Sequence, residues 1–166
     1  MTTGRLQALM IAHAGLVLLL GMIAGFPFLF HLIGEIRVWP LPIALAIQIP
    51  GSEQGWRAAH VGNILNGTML LAVAAAFHRV TLSPGLRKAV AWSLIATVWG
   101  NAIFYVFSAA FTTGRGLSFG TNRFGGGDWF NSIAYVSALA AVFTIIFALA
   151  QVVRGALASA RAATGD

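Results

Sequence analysis

The residues of this chain that can do chemistry are neutral and sit inside long apolar runs. The first group lies in the stretch Gly51-Ser52-Glu53-Gln54-Gly55-Trp56-Arg57-Ala58-Ala59-His60 and its continuation Val61-Gly62-Asn63-Ile64-Leu65-Asn66-Gly67. It opens as a polar, turn-rich connection and becomes an apolar helix bearing a histidine and two asparagines. Polar groups at membrane depth are expensive, which makes them functional candidates by default. His60, Asn63 and Gly67 share one helical face, while Asn66 points about 120° away from His60 at 3.6 residues per turn, so the two face different neighbours. From this helix alone, the simpler account of His60 is a histidine satisfied by a backbone carbonyl.

Thr97, Asn101 and Tyr105 follow at i, i+4 and i+8 and form a polar stripe on a second apolar helix. Such a stripe either lines a site or hydrogen-bonds to neighbouring helices. Trp92 and Trp99 make a separate i, i+7 stripe suited to packing, and near a pocket their ring faces can stabilise a cation.

Several chemistries are excluded. Glu35, Glu53, Asp128 and Asp166 are the only acids, and all fall at or beyond the ends of the apolar runs. Paired-carboxylate acid/base catalysis, Glu-x-x-His di-iron sites and carboxylate proton relays therefore have no residues to use. The absence of cysteine removes disulfides, iron–sulfur ligation, thiolate-ligated haem and covalent c-type haem attachment. Gly114 to Gly120 and Gly125-Gly126-Gly127 resemble a phosphate loop only in composition: no strand precedes them and the lysine is missing. Arg115 and Arg123 in that connection are candidate partners for carboxylates such as haem propionates, or simple topology charges.

His13 and His31 are separated by the same eighteen residues as His60 and His78. In antiparallel neighbours this would oppose His31 to His60 and His13 to His78, the layout of a bis-histidine, two-haem cytochrome for electron transfer or sensing. Eighteen residues rise about 27 Å, which sends those ligands to the two rims of a bilayer, where histidines are ordinary interfacial groups. A scaffold or transport protein without a cofactor is a third reading.

The elements that must position these groups are membrane spans. Of the 166 residues 58% are apolar and only 8% charged, against about 25% charged in a soluble domain. Four apolar runs, approximately 7–33, 53–77, 84–111 and 128–155, each exceed the about 20 helical residues a bilayer core requires. The chain reads as one all-α transmembrane domain, residues 1–166, a four-helix bundle without alternating strand patterns. Apolar sequence from Leu6 to Ile33 far exceeds the roughly 7–15 residues of a signal-peptide core and counts as the first span. Gly21 to Gly25 in it is a small-xxx-small pattern for close helix approach, and Pro27 removes a backbone donor and predicts a kink. The connection from Gly34 to Ser52, with Pro40, Pro42 and Pro50, reads as an extended crossing. Ser52, Ser83 before Pro84, and Asp128 are predicted N-caps. The net charge of +6 resides singly at span ends, which fits lipid head groups and topology rather than nucleic acid. Six basic residues on the side of Arg5, Arg79, Arg87, Lys88, Arg154 and Arg161 against four on the other favour both termini in the cytoplasm.

Together, GSEQGWRAAH, Leu65-Asn66-Gly67, the segment Trp99-Gly100-Asn101 to Phe104-Tyr105, and GRGLSFGTNRFGGGD resemble the styrene oxide isomerase family, with the blocks in order over most of the chain. The resemblance implies a multi-pass bacterial inner-membrane enzyme that assembles as a homotrimer with haem b between subunits. It implies His60 as axial ligand of the ferric iron and Asn66 and Tyr105 at the substrate pocket, which Asn101, Thr97 and Trp99 would complete. The implied reaction is isomerisation of an aryl epoxide, styrene oxide, to phenylacetaldehyde by Lewis-acid ring opening and a 1,2-hydride shift. The sequence departs from the family pattern at Thr97, where that pattern has an aspartate; this bears on substrate placement and rate, not on the haem ligand.

Overall fold

The computed structural model describes residues 1–110 and 116–164. Four helices, α1 (Thr3–Ile33), α2 (Glu53–Ala76), α3 (Pro84–Ala110) and α4 (Trp129–Thr164), are each long and apolar enough to cross a membrane. The protein is a four-helix membrane bundle. Its start signals are chemical: the Ser52 hydroxyl accepts from Gly55 N–H, Pro84 opens α3 while Ser83 O accepts from Arg87 N–H, and the Asp128 carboxylate accepts from Asn131 N–H. α1 runs unbroken through Pro27, and α4 continues to Thr164, past the Gly155 that the composition suggested as its end. A 3₁₀ turn, Phe77–Arg79, closes α2.

The connections are not simply extended. β1 (Glu35–Arg37) and β2 (Ala44–Ala46) form an antiparallel hairpin between α1 and α2, and β3 (Thr121–Asn122) and β4 (Gly125–Gly126) a smaller one before α4. Both were invisible to the alternation test because two or three residues per strand are too few to show a period.

Most of the core lies toward the end of the bundle that carries the termini, where Leu6, Met10, Val17, Leu70, Phe77, Val90, Leu94 and Val98 interlock. Among the described residues the other end holds a smaller cluster of Ala24, Trp56, Ala59 and Ala109, and two spaces lie there between α2 and α3. α1 packs on α2, α2 on α3, and α4 on α3. Glycines set the α1–α2 contact: a Cβ at Gly67 would stand 2.6 Å from Leu18 Cγ and 2.9 Å from Ala14 O, and one at Gly21 3.0 Å from Ile64 N. Gln7 meets this register too, donating from Nε2 to Ala74 O. His60 therefore faces Gly21 and Gly25 rather than His31, about ten residues or roughly 15 Å short of the alignment that bis-histidine pairing needs. His78 approaches Gln7, and His13 accepts from Trp99.

Candidate active site

His60 stands on the α1 flank of α2. Its Nδ1 lies 2.8 Å from Gly21 O. A carbonyl can only accept, so Nδ1 carries a proton, and in the neutral ring Nε2 keeps its lone pair. No hydrogen bond engages Nε2 among the described residues, and the ring is half-buried. Gly25 makes room for it: a Cβ there would stand 3.0 Å from Nδ1 and 3.1 Å from Cε1. Phe28 lies beyond, ring centroids 6.4 Å apart. The small-xxx-small pattern thus serves two ends, the approach of α2 and the seating of the imidazole. A histidine whose other nitrogen donates to a backbone carbonyl has the tautomer, orientation and basicity of a metal ligand.

On the α3 flank, Tyr105 lies against Gly62, where a Cβ would meet ring carbons at 2.5 and 2.6 Å. Tyr105 lines two neighbouring spaces. One is a cavity of about 150 Å³ with Ser52, Gln54, Gly55, Ala58, Phe104, Ser108 and Leu117, and the other a more open cleft of about 410 Å³ with Gln54, Arg57, Ala58, Val61, Gly62 and Leu65. The cleft falls within the range of about 300–1,000 Å³ usual for small-molecule sites. The Tyr105 hydroxyl carries no hydrogen bond among the described residues.

One turn along the same interface, Asn66 and Asn101 join. Asn66 Nδ2 donates to Gly62 O at 2.8 Å, and Asn101 Nδ2 donates to Asn66 Oδ1 at 2.8 Å. The directions are fixed by logic: Gly62 O must receive an N–H, so Asn66 turns its carbonyl to Asn101, which must answer with its own NH₂. Asn66 keeps a second N–H to offer.

Thr97 and Trp99 are not brought to this place. Thr97, 1% exposed, hydrogen-bonds to Ser93 O and to Thr144 of α4, both at 2.8 Å. Trp99 donates its indole N–H to His13 Nδ1 at 3.0 Å and borders an apolar recess between α1 and α3 with Leu20, Ala102 and Val106. Asn63 is fully buried and donates to Ala59 O. Arg123 stacks over Phe124, its guanidinium carbon 4.7 Å from the ring centroid, and Arg115 lies outside the described residues. Sequence reasoning missed Gly62 and Gly25 as the seats of Tyr105 and His60. Their only signal is the cost of a helical glycine, about 0.5–1 kcal/mol relative to alanine, which implies a compensating close approach.

Comparison with known proteins decides the lineage. The family model described as styrene oxide isomerase matches residues 6–157, a range that contains every residue of this site. The chain belongs to the styrene oxide isomerase family. It is similar to the styrene-oxide isomerase of Pseudomonas fluorescens, 36% identical over 129 residues, which cover 78% of this chain and 75% of the relative. Like its family it is an isomerase, which agrees with a site that holds no carboxylate and no thiol.

Asn101 is held to Asn66, and neither side chain lines the two spaces beside Tyr105; a role for the pair has a measurable consequence. Asn101→Leu is expected to lower kcat several-fold, on the scale of one net hydrogen bond, about 0.5–1.5 kcal/mol. The double variant Asn66→Ala/Asn101→Leu should be no slower than Asn66→Ala alone, because the second change removes support for a side chain already absent. Additive losses in that cycle would show that Asn101 acts on its own.

Proposed function

We propose that this isomerase converts styrene oxide to phenylacetaldehyde on a haem b bound by His60, with Tyr105 and Asn66 acting on the epoxide oxygen. The observation that carries the proposal is the hydrogen bond of His60 Nδ1 to Gly21 O, with the ring seated against Gly25, which leaves Nε2 without a hydrogen-bond partner among the described residues. The donor set fits haem better than a bare ion. Among the described residues no three His, Asp or Glu side chains gather to hold a cation, whereas a porphyrin brings its own equatorial nitrogens and asks the protein only for an axial one.

Bound there, a ferric haem supplies a Lewis acid for the epoxide oxygen. The Tyr105 O–H and the second Asn66 N–H donate to that oxygen as negative charge grows on it when the benzylic C–O bond opens. The faces of Phe104 and Tyr105, ring centroids 5.4 Å apart, stand beside the cavity where positive charge spreads into the aryl ring. Ala58, Val61, Leu65 and Leu117 make its walls apolar, which keeps out the water that would trap the cation as a diol. Hydride passes between adjacent substrate carbons, so no electron is gained or lost and no external base is needed.

The proposal includes assembly as a homo-oligomer, a trimer, with haem between subunits. Gly62, which seats Tyr105, is about 160° around α2 from His60, and Asn66 about 120°. Within one protomer the proposed ligand and the proposed donors therefore look to opposite flanks of the helix; two protomers can bring them together across a shared face. The proposed location is the bacterial inner membrane, which helical spans support because bacterial outer-membrane proteins cross as β-barrels. Co-expression of the two single variants His60→Ala and Tyr105→Phe tests the shared site. In mixed assemblies some interfaces receive an intact His60 from one protomer and an intact Tyr105 from the next, so activity should recover to about a quarter of wild type under random pairing. No recovery from oligomers shown to be mixed would place each site within a single protomer.

A further inference from the structure

The β1–β2 hairpin has two unlike faces. Its register pairs Ile36 with Leu45 and Arg37 with Ala44, and Val38 N–H donates to Ile43 O at 3.2 Å to carry the ladder one step further. Residues directly opposite in a ladder share a face, so Ile36, Val38, Ile43 and Leu45 lie together, and Ile47 continues the two-residue period. Glu35, Arg37, Ala44 and Ala46 occupy the other face, where Glu35 and Arg37 form an ion pair. Val38, Ile43, Leu45 and Ile47 are all exposed, and Trp39 at the tip is 90% exposed. A two-stranded hairpin of this kind is marginal in water by itself, and a contiguous apolar face calls for something to cover it.

We infer that this hairpin is an interfacial anchor, lying flat on the bilayer with the Ile36–Val38–Ile43–Leu45 face in the boundary between head groups and acyl chains. Three observations choose lipid as the occupant. The hairpin leaves α1 at the membrane edge: the apolar exposed residues Leu29, Leu32 and Ile33 are followed by Gly34, at φ 70°, and by Glu35, which pairs with Arg37 on the other face, before Ile36. The lipid-facing surface therefore passes into the hairpin along the chain. The polar face is electrically balanced by its own ion pair, so no net charge opposes contact with the apolar phase, and Arg37 has the length to reach head groups from there. The tip carries a tryptophan, the residue that collects at membrane–water boundaries because its ring is apolar and its N–H polar. The base of the hairpin is tied down on the protein side. His31 donates from Nδ1 to Ile49 O at 2.9 Å, and Trp56 donates from Nε1 to Pro50 O at 2.8 Å, so the anchor fixes the height at which α2 enters the membrane.

The natural absence of cysteine makes the test clean. Single variants Ile43→Cys, Ala44→Cys and Leu45→Cys carry a nitroxide label in the full-length, active protein reconstituted into phosphatidylcholine–phosphatidylglycerol vesicles. Collisions with oxygen, which concentrates in lipid, are compared with collisions with a water-soluble nickel chelate. Labels at 43 and 45 should show an oxygen-to-nickel ratio several-fold above that at 44. Uniform nickel access at all three positions would overturn the anchor by placing the hairpin in water. Labels at 43 and 45 that are immobilised and shielded from both reagents would overturn it equally, because a second copy of the chain then covers that face.

Discussion

Replacing His60 by alanine is expected to remove haem and activity together. No other histidine offers a substitute in that position. His13 uses Nδ1 to accept from Trp99, and His78 is exposed beside Gln7 beyond the end of α2; His31 donates to Ile49 O much as His60 does to Gly21 O, but it stands two residues from the end of α1 and no glycine among the described residues seats its ring. The proposed ligand is also held by more than one contact, since Gly25 leaves room for the imidazole and Gly21 O accepts its Nδ1–H. Loss of an outer-shell partner costs about 10–100-fold in metal affinity or activity, and loss of the axial ligand should exceed that. His13→Ala and His31→Ala should keep the cofactor. The check is haem content per chain, read from the absorbance of purified variants at matched protein concentration, beside phenylacetaldehyde formation. A His60→Ala protein with a wild-type haem spectrum would remove this residue from the iron.

Tyr105→Phe should separate catalysis from binding. Phenylalanine keeps the ring that rests on Gly62, so packing at the close contact is preserved and only the free hydroxyl is lost. If that hydroxyl donates to the epoxide oxygen chiefly as charge develops, kcat should fall more than substrate binding weakens. Removal of one such donor costs about 10²-fold or more in rate. The loss is smaller to the extent that the proposed iron and Asn66 already carry the charge. Haem content should be that of wild type, and turnover and epoxide binding are compared at equal haem loading. Unchanged kcat with weaker binding would make Tyr105 a positioning residue, and no change in either would exclude it from the site.

The four spans were legible because their signal is length and apolar content, which no tertiary contact needs to supply. The local caps at Ser52 and Asp128 were legible for a similar reason, being formed by residues three apart. What the sequence concealed depends on register between helices. The Thr97–Asn101–Tyr105 stripe reads as one surface, yet an i+4 step advances about 40° around a helix, and over two steps that drift turns Thr97 to Thr144 on α4 while Asn101 and Tyr105 face α2. The same limit applies to Trp99, whose indole finds His13 on α1. Equal spacing of the histidine pairs suggested a matched set, but spacing along each helix says nothing about the offset between them, and Gly67 against Ala14 and Leu18 sets an offset that keeps the pairs apart. The Asn66–Asn101 pair and the Gly62 seat of Tyr105 likewise appear only once α2 and α3 are laid side by side.

The central claim is that an aryl epoxide reacts at a haem held by His60, and an optical titration of the purified protein with styrene oxide addresses it most directly. The account predicts one haem per chain, a spectrum that shifts on epoxide addition because the face opposite His60 is exchangeable, and return of the starting spectrum as phenylacetaldehyde accumulates. A colourless preparation that turns over styrene oxide, or a haem spectrum with two bound histidines that does not respond to the epoxide, would contradict it.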